Sequence, residues 1–437
     1  MARPPVTVFW FRRDLRLEDN RGLYQALSSG LPVLPLFIFD REILDDLADK
    51  RDRRVAFIYQ VLQRLHARLA EHGGGLLVRH GRPLEVWRQL LEEFPVQAVY
   101  TNRDYEPYAV ARDRKVADLL AGHGIPFQMY KDQVIFDGDE VVKEGGSPYT
   151  VYTPFKNRWL AQLTLRDLHP AASETLLDHL APAPASGVPS LQEIGFAPVA
   201  VDTDPVIDEA IIRSYDRTRD LPAVAGTTRL SVHLRFGTIS IRRLAALGRA
   251  LSPTWLQELI WREFFMSILA HFSHVVDQPF KPQYAAIPWR EDRGDFARWC
   301  AGETGYPIVD AGMRELNATG FMHNRVRMIT ASFLCKHLLL PWLWGERYFA
   351  EKLLDYDLAA NNGNWQWAAG CGCDAAPYFR VFNPEIQAAK FDPQRTYIRR
   401  WVPEVDTQTY PKPMVPHAAA RIRALETYGR ALRGTRE

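Results

Sequence analysis

The sequence has few cysteines and no long apolar run, and these two features limit the classes of protein to which it can belong. Its 437 residues include only 4 cysteines, at positions 300, 335, 371 and 373, and none of them forms a CxxC pair. This spacing argues against a disulfide framework or a metal site, and a cytoplasmic location suits the chain. No apolar window reaches about eighteen residues, and charges interrupt the N-terminal apolar run. We therefore expect neither a membrane-spanning helix nor a secretory leader.

A glycine-rich dinucleotide fingerprint is also missing, although the chain begins with the alternation that usually carries one. Short β-rich runs at 6–11, 31–39, 75–79 and 97–100 alternate with helical patterns. This order predicts a parallel sheet covered by helices, a Rossmann-like architecture. The loop after the first strand contains no GxGxxG, which argues against a flavin oxidoreductase that uses NAD(P)H.

The composition and hydrophobic periodicity of the chain change twice, and from these changes we predict three regions. Residues 1–130 read as the α/β domain, and residues 131–205 as an interdomain linker that includes an Ala-Pro-rich stretch. Residues 206–437 carry longer helical patterns and predict an all-helical domain. Residues 1–205 hold 24 Lys and Arg against 28 Asp and Glu, whereas residues 206–437 hold 30 against 24. The arginine-rich second region is compatible with phosphate contacts.

The most unusual stretch, 355–367, combines carboxylates, amides, a glycine and two indoles. Asp and Asn favour caps and turns because their short side chains bond to local backbone, so we do not expect a core helix here. One interpretation is a capped turn with two tryptophans in a core. The other is a cofactor site, with acceptors for polar hydrogens, an amide for a ring nitrogen, and indoles beside an aromatic system.

Two further segments carry polar groups that suit a binding site. The hydroxyl-rich turn at 227–231 can hold a phosphate, or can be an ordinary helix cap. In a helix over 255–263, Glu258 lies near Trp255 and Trp261. A carboxyl between two indoles is desolvated, which should raise its pKa and let it donate a hydrogen bond. The alternative is a surface Glu beside core tryptophans.

A pair of arginines, Arg325 and Arg327, points to different faces of its element because the two residues are two positions apart. One of them can reach a nucleic-acid phosphate while the other pairs with Asp355 or Asp357. The alternative is that both are solvated.

These segments, in this order, resemble the DNA photolyase/cryptochrome family over nearly the whole chain. The stretches that carry the resemblance are the N-terminal 11–20 and the later 305–314, 321–333, 355–367 and 374–384. Within the family the chain is most similar to bacterial class I cyclobutane pyrimidine dimer photolyases. The resemblance implies light-dependent repair of these dimers by electron transfer from reduced FAD. A blue-light receptor that binds FAD without repair is the alternative.

The resemblance also implies a role for particular residues. The expected FAD-binding residues are Tyr215, Arg219, Thr227, Thr228, Arg229, Leu230, Ser231, Trp255, Arg262, Arg327, Asp355, Asp357 and Asn361. The expected residues for dimer-containing DNA are Glu258, Trp261, Asn324, Arg325, Met328 and Trp367, with Glu258 and Asn324 also catalytic. The expected electron relay is formed by Trp365, Trp342 and Trp289.

Three finer expectations follow from the same resemblance. Asn361 matches the residue that faces flavin N5, and its amide should favour the reduced anionic flavin. The antenna segment departs from the folate type at Tyr108-Ala109, so a deazaflavin or a flavin is a better expectation than folate, and an empty site is also open. The partner is double-stranded DNA containing pyrimidine dimers, and we expect a monomer.

Overall fold

A computed structural model describes residues 3–182 and 187–434 of the chain, so residues 183–186 of the predicted linker lie outside the described part. The chain divides into two compact units. The first comprises Met1–Glu140, Trp159–Ile207 and Arg229–Ala250, and the second comprises Val141–Arg158, Asp208–Thr228 and Leu251–Glu437. Both units therefore draw on separate stretches of sequence. The boundaries at 130 and 205 stay a prediction.

The first unit is built on one parallel sheet. Its strands are β1 Val6–Phe11, β2 Val33–Asp40, β3 Leu77–Gly81, β4 Val96–Asn102 and β5 Phe127–Tyr130. They lie in the order β3-β2-β1-β4-β5, and every neighbouring pair is parallel. All residues of β1 and β2 are buried, as expected of strands covered on both faces. Together with the helical second unit, this sheet confirms the predicted α/β plus all-α class.

The described chain has nine α-helices before residue 253, and we number all helices in chain order. Most of α6 and all of α7 belong to the second unit. Those up to residue 251 are α1 Arg21–Leu27, α2 Arg41–Leu44, α3 Arg53–Glu71, α4 Pro83–Glu93, α5 Pro107–Gly122, α6 Tyr152–Gln162, α7 Glu209–Thr218, α8 Ser231–Phe236 and α9 Ile241–Leu251. A 3₁₀ turn covers Ser173–His179. Asn20 caps α1 by accepting a hydrogen bond from the backbone N–H of Leu23, which fixes the start of that helix.

Helices from residue 253 onward all belong to the second unit. They are α10 Pro253–His271, α11 Arg293–Ala301, α12 Pro307–Thr319, α13 Asn324–Ser332, α14 Trp342–Lys352, α15 Leu358–Ala369, α16 Pro384–Phe391, α17 Thr396–Trp401 and α18 His417–Gly434. Short 3₁₀ turns cover Ser273–Val276 and Pro282–Ala286, and a π-helical turn covers Phe333–His337. Among the described residues, no helix is long and apolar enough to cross a bilayer.

The core of the second unit brings α13, α14 and α15 together. Trp365 is buried there with Trp299, Phe349 and Leu334. Gly345 of α14 allows the close approach, because a Cβ at this position would lie 2.1 Å from the Trp365 ring. Any larger residue at 345 would push α14 away from α15.

Candidate functional site

Residues 358–367 of the polar stretch 355–367 belong to α15, which corrects our expectation that this stretch would not be a core helix. Asp357 is the N-cap, and its side chain accepts a hydrogen bond from the backbone N–H of Ala360 at 3.2 Å. Asn361, Asn362 and Gly363 then lie within the first two turns. One of the two interpretations was a capped turn, whereas Asp357 caps the start of a helix.

Long-range partners explain why this polar run is helical. The side-chain amide of Asn362 donates to the carbonyl of Val275 at 2.8 Å, and that of Gln366 donates to the same carbonyl at 2.9 Å. Gly363 lies against the ring of Phe265, which a Cβ would approach to 2.1 Å. Local propensity is therefore outweighed by hydrogen bonds and packing with distant segments.

One pocket of the second unit gathers eight of the predicted site residues. It lies where α13 and α15 meet the segment before α15. The predicted residues that line it are Asn324, Arg327, Met328, Asp355, Asp357, Asn361, Trp365 and Trp367, and they are joined by Ala331, Phe349, Leu353, Tyr356, Ala360 and Asn364. The pocket thus combines carboxylates, amides and a guanidinium with indole and aliphatic walls.

The orientation of Asn361 is set by Glu346 on α14. The Asn361 side-chain N–H group donates to the Glu346 carboxyl at 2.8 Å and to the Glu346 backbone carbonyl at 3.1 Å. Both residues are buried, and burial raises the pKa of Glu346. Because its amide nitrogen is engaged in this way, Asn361 presents its carbonyl oxygen as the acceptor for a group in the pocket.

The two arginines of α13 have different partners, as their spacing predicts. Arg327 forms a two-hydrogen-bond pair with Asp355, at 3.1 and 2.9 Å, and also donates to the Met322 carbonyl. Arg325 pairs with Asp220 at 2.8 Å and lies over the ring of Phe391. Neither arginine is simply solvated.

Glu258 and Arg219, which the resemblance assigns to different ligands, form an ion pair at 2.7 Å. Burial raises the pKa of Glu258, and Arg219 opposes this shift because it favours the carboxylate. The Arg219 guanidinium also lies 5.4 Å from the centre of the Tyr215 ring. Burial raises the pKa of Tyr215, so its hydroxyl stays protonated and can donate.

Trp261 is held by a second aromatic residue of the same unit. Tyr152 stacks on it with 3.5 Å between ring centres and 7° between planes. The Tyr152 hydroxyl donates to the backbone carbonyl of Gln257 at 2.9 Å, which fixes this ring in turn. Tyr152 therefore covers one face of the Trp261 indole, and Phe264 and Phe265 also contact this ring. Trp261 is half-buried, so only the uncovered part of its surface is open to a ligand.

The remaining predicted cofactor residues do not line the described pocket. Trp255 is buried, and its indole N–H donates to the hydroxyl of Thr228 at 3.4 Å, next to Thr227. Arg262 is half-buried on the same helix, α10. Arg229, Leu230 and Ser231 belong to the first unit. Arg229 has a left-handed backbone, with φ of 51°, before Ser231 begins α8.

The three predicted relay indoles share the second-unit core. Trp365 and Trp342 are buried in it, and Trp289 packs against it half-buried. The ring of Trp365 lies 6.1 Å from Trp299 and 5.0 Å from Phe349. Trp289 meets the ring of Tyr428 at 5.8 Å.

Comparison with known proteins decides the family. A model described as the FAD binding domain of DNA photolyase matches residues 255–408, and one described as DNA photolyase matches residues 7–176. The chain is 41% identical to the deoxyribodipyrimidine photo-lyase of Synechococcus sp., over 95% of this chain and 90% of that protein. The chain belongs to the DNA photolyase family.

Solved structures of this family have the same fold. A bacterial class III photolyase from Agrobacterium tumefaciens superposes with a TM-score of 0.87 at 33% identity, covering 99% of this chain and 98% of that one. An archaeal photolyase from Sulfolobus tokodaii, described with two FAD molecules and a novel light-harvesting cofactor, has a TM-score of 0.79 at 32% identity. That match covers 98% of this chain and the whole of the other.

FAD is the cofactor of this photolyase-family chain, and the pocket suits it chemically. Every residue that lines the pocket lies within the matched FAD-binding domain. The carbonyl oxygen of Asn361 and the nearby carboxylates can accept hydrogen bonds from ring N–H groups and hydroxyls, while Arg327 can donate. In the described residues, no group of three or more His, Cys, Asp or Glu side chains is arranged to hold a metal ion.

Sequence reasoning missed two residues that complete this photolyase-type site, Glu346 and Tyr152. Glu346 lies 15 positions before Asn361, and Tyr152 lies more than a hundred positions before Trp261. Neither spacing repeats with a helical or strand period, so no local pattern indicates the contact. Asp220, the partner of Arg325, was missed for the same reason.

Proposed function

We propose that this protein is a deoxyribodipyrimidine photo-lyase that acts as a monomer on double-stranded DNA in the cytosol. It repairs cyclobutane pyrimidine dimers under light with reduced FAD. The observation that carries this proposal is the Asn361–Glu346 pair, which aims a neutral amide acceptor into a pocket that also presents Asn324, Met328 and Trp367. Cofactor-facing and substrate-facing residues thus share one pocket, as direct electron transfer between two ligands requires.

Within this pocket we assign the cofactor contacts to residues that the structure holds firmly. When bound, the reduced flavin supplies a light-excited electron. Arg327 and Asp355 hold each other through two hydrogen bonds, so both are ordered before a ligand arrives. Asp357 is fixed as the cap of α15. The amide of Asn361 cannot take up a charge, so, unlike a carboxylate at this position, it does not repel the reduced anionic form of the cofactor.

The lesion is assigned to the mouth of the same unit. A pyrimidine dimer stacks poorly, so flipping it out of the duplex costs less than flipping a normal base. Trp261 and Trp367 offer indole surfaces that replace the lost stacking. Glu258 and Asn324 hydrogen-bond the pyrimidine carbonyls, which stabilises the charge that develops on the dimer. The two carbon–carbon bonds that join the pyrimidines in the cyclobutane ring break and both bases are restored, so the repair is redox-neutral overall.

Arg325 is assigned to the DNA backbone. Its pairing with Asp220 holds the guanidinium in place but also neutralises it. A phosphate must therefore compete with Asp220 for the same donors, which weakens the contact relative to a free arginine. Arg325 accordingly contributes to positioning the duplex and carries no sequence information.

The antenna position is proposed to take a deazaflavin or a flavin and not folate. Tyr108, where the sequence departs from the folate pattern, also has a defined partner in the structure. Its hydroxyl donates to the carboxylate of Asp40 at 2.5 Å. This pair joins α5 to the carboxyl end of β2. Mass spectrometry of the denatured protein, expressed in a deazaflavin-producing host, tests the proposal, and stoichiometric folate would contradict it.

The test of the proposed function uses light and a defined lesion. The purified protein is reduced, mixed with an oligonucleotide carrying one thymine dimer, and illuminated while the absorbance of restored thymine is followed. Recovery in light and none in darkness supports the photo-lyase. A protein that retains FAD, responds to light and leaves the dimer intact would instead be the blue-light receptor.

A matched variant locates the chemistry within the site. Glu258→Gln keeps the shape and can still accept from Arg219, but it removes the acid. We expect normal FAD content and a repair yield lowered several-fold, on the order expected for losing one proton donor. Loss of flavin from this variant would assign Glu258 to the protein scaffold and not to the substrate.

A further inference from the structure

The α/β unit contains a second polar cavity that the repair reaction does not use. Its volume is about 560 Å³, within the range of small-molecule sites. It lies between the start of α1, the segment after β5 and the loop at 166–172. All of its lining residues belong to the first unit and none of them lines the flavin pocket: Arg21, Tyr24, Gln25, Lys131, Val134, Ile135, Arg166, Asp167, His169, Pro170, Ala171, Ala172 and Arg242.

The charges around this cavity do not cancel. Arg242 is compensated, because it pairs with Asp19 at 2.8 Å and Asp132 at 2.7 Å, and Asp132 also binds Arg16. Lys131 is compensated by Glu140. Two guanidinium groups of the lining then remain, those of Arg21 and Arg166, against the single lining carboxylate of Asp167.

Asp167 attracts Arg21 electrostatically, but its carboxylate is held by Thr164 and, within the described part of the chain, forms no hydrogen-bonded ion pair with either arginine. Its carboxylate accepts hydrogen bonds from the backbone N–H of Thr164 at 2.8 Å and from the Thr164 hydroxyl at 2.7 Å. The described residues show no ion pair between Asp167 and either Arg21 or Arg166. The cavity therefore has an excess of positive charge.

The Arg21 side chain brings an unpartnered donor atom to this cavity. Its Nε atom is buried and has no hydrogen-bond partner among the described residues. A buried donor without an acceptor is unusual in a folded protein and often marks a ligand or water position. Burial and the nearby charge of Arg242 lower the pKa of Arg21, although the carboxylates of Asp132, Asp19 and Asp167 oppose this shift. An anion bound beside Arg21 would raise its pKa.

The apolar and aromatic residues of the lining suit the organic part of a ligand. Val134 and Ile135 are buried there beside Pro170 and Ala171, and the half-buried ring of Tyr24 faces the same cavity. Apolar walls with a few converging polar groups are typical of small-molecule sites. A bare inorganic anion would leave most of this volume unfilled.

We propose that this cavity binds a phosphate-bearing small molecule of mononucleotide size. Arg21 and Arg166 bind the phosphate of this ligand, and Tyr24, Val134 and Ile135 pack against its organic ring. Guanidinium groups bind phosphate through paired hydrogen bonds. A phosphate of duplex DNA is a poorer occupant, because the Arg21 Nε atom is shielded from solvent within a concave site.

Isothermal titration of the FAD-loaded protein tests this proposal with three probes: adenosine monophosphate, adenosine and inorganic phosphate. We expect the nucleotide to bind at least tenfold more tightly than either fragment. Arg21→Gln and Arg166→Gln should each weaken nucleotide binding by about tenfold or more, the loss expected for a charged hydrogen bond. Arg88→Gln is the matched control, since Arg88 is exposed on α4 and does not line the cavity.

Each other outcome overturns the proposal. Equal affinity for phosphate and nucleotide would show an adventitious ion only. Binding of undamaged duplex DNA that is lost in Arg21→Gln, without nucleotide binding, would assign the arginines to DNA. A loss in Arg88→Gln equal to that in Arg21→Gln would mean a general charge effect. Arg166 is exposed, so its variant keeps the test valid even if Arg21→Gln fails to fold.

Discussion

Replacing Lys336 with methionine should stabilise this protein, because the lysine is buried in the core of the FAD-binding unit. Its side chain is 1% exposed. The amine donates to the carbonyl of Ala369 at 3.0 Å and lies 3.7 Å from the centre of the Tyr428 ring. No carboxylate pairs with it among the described salt bridges, and burial lowers its pKa from the usual 10.5 to about 7.

The sign of the pH effect follows from this shift. Below pH 7 the amine is protonated in both the folded and the unfolded chain, so the folded protein bears the full cost of a buried charge. Between about pH 7 and 10.5 the unfolded chain binds more protons, so the free energy of unfolding rises with pH by up to about 1.4 kcal/mol per unit. The neighbouring thiols Cys335 and Cys371 have pKa values raised by burial and stay neutral over most of this range.

The expected gain is largest at neutral pH. A shift of this size corresponds to about 4 kcal/mol of destabilisation near pH 7 and about 2 kcal/mol near pH 9. Methionine has a similar length and no charge, so Lys336→Met should recover most of this. The carbonyl of Ala369 keeps a partner, because it also accepts from the Tyr428 hydroxyl at 2.9 Å.

Thermal unfolding of the FAD-loaded protein measures the effect across pH. The variant should melt at a higher temperature than the wild type at neutral pH, and the difference should shrink as pH rises through the window. Lys412→Met, at an exposed position, is the control and should show no such trend. A variant that is less stable at every pH would mean that the hydrogen bond and the ring contact outweigh the desolvation of the charge.

Three further predictions concern the DNA site and the relay. In a filter-binding assay, Arg325→Ala should weaken binding to damaged and undamaged DNA alike and reduce the salt dependence of the binding constant by about one phosphate contact. Asp220→Asn should strengthen binding to both kinds of DNA. A change in binding to undamaged DNA alone would contradict the assignment of Arg325 to the DNA backbone. Tyr152→Ala should weaken lesion binding several-fold because Trp261 loses its support, while Tyr152→Phe should bind within about twofold; equal losses would show that the hydroxyl matters and not the ring. Trp342→Phe should slow the light-driven reduction of oxidised FAD by external thiol, yet repair dimers normally once reduced with dithionite; loss of both would make Trp342 a packing residue.

The fold was predictable from sequence where the pattern of apolar residues is clear. The apolar runs at 6–11 and 31–39 became β1 and β2 because both faces of a central parallel strand are buried. β5, at Phe127–Tyr130, was not predicted, since four residues with a polar Gln carry too little pattern. The longer helical patterns expected after residue 206 do not indicate where the chain leaves the α-helix of α13 for a π-helical turn at Phe333.

The site was predictable only where the signal lies in one segment. The two-residue offset of Arg325 and Arg327 correctly separated their partners, and Arg327 does pair with Asp355. Helix α15 was misjudged because its polar side chains bond to the distant backbone of Val275, which no local rule contains. Residue roles in FAD and lesion binding stay predictions, and the variants above test them.

The division of both units among separate stretches of sequence has a consequence for synthesis of the chain. Asp19 emerges early from the ribosome, yet its partners Ser240 and Arg242 are more than two hundred residues away. The N-terminal sheet can therefore form while this carboxylate still lacks its cation, and the unit closes only after residue 250 is made. A chain interrupted before that point retains an uncompensated acidic group in its interior. Such fragments should be degraded readily, and a stable minimal α/β unit would have to include residues 229–250.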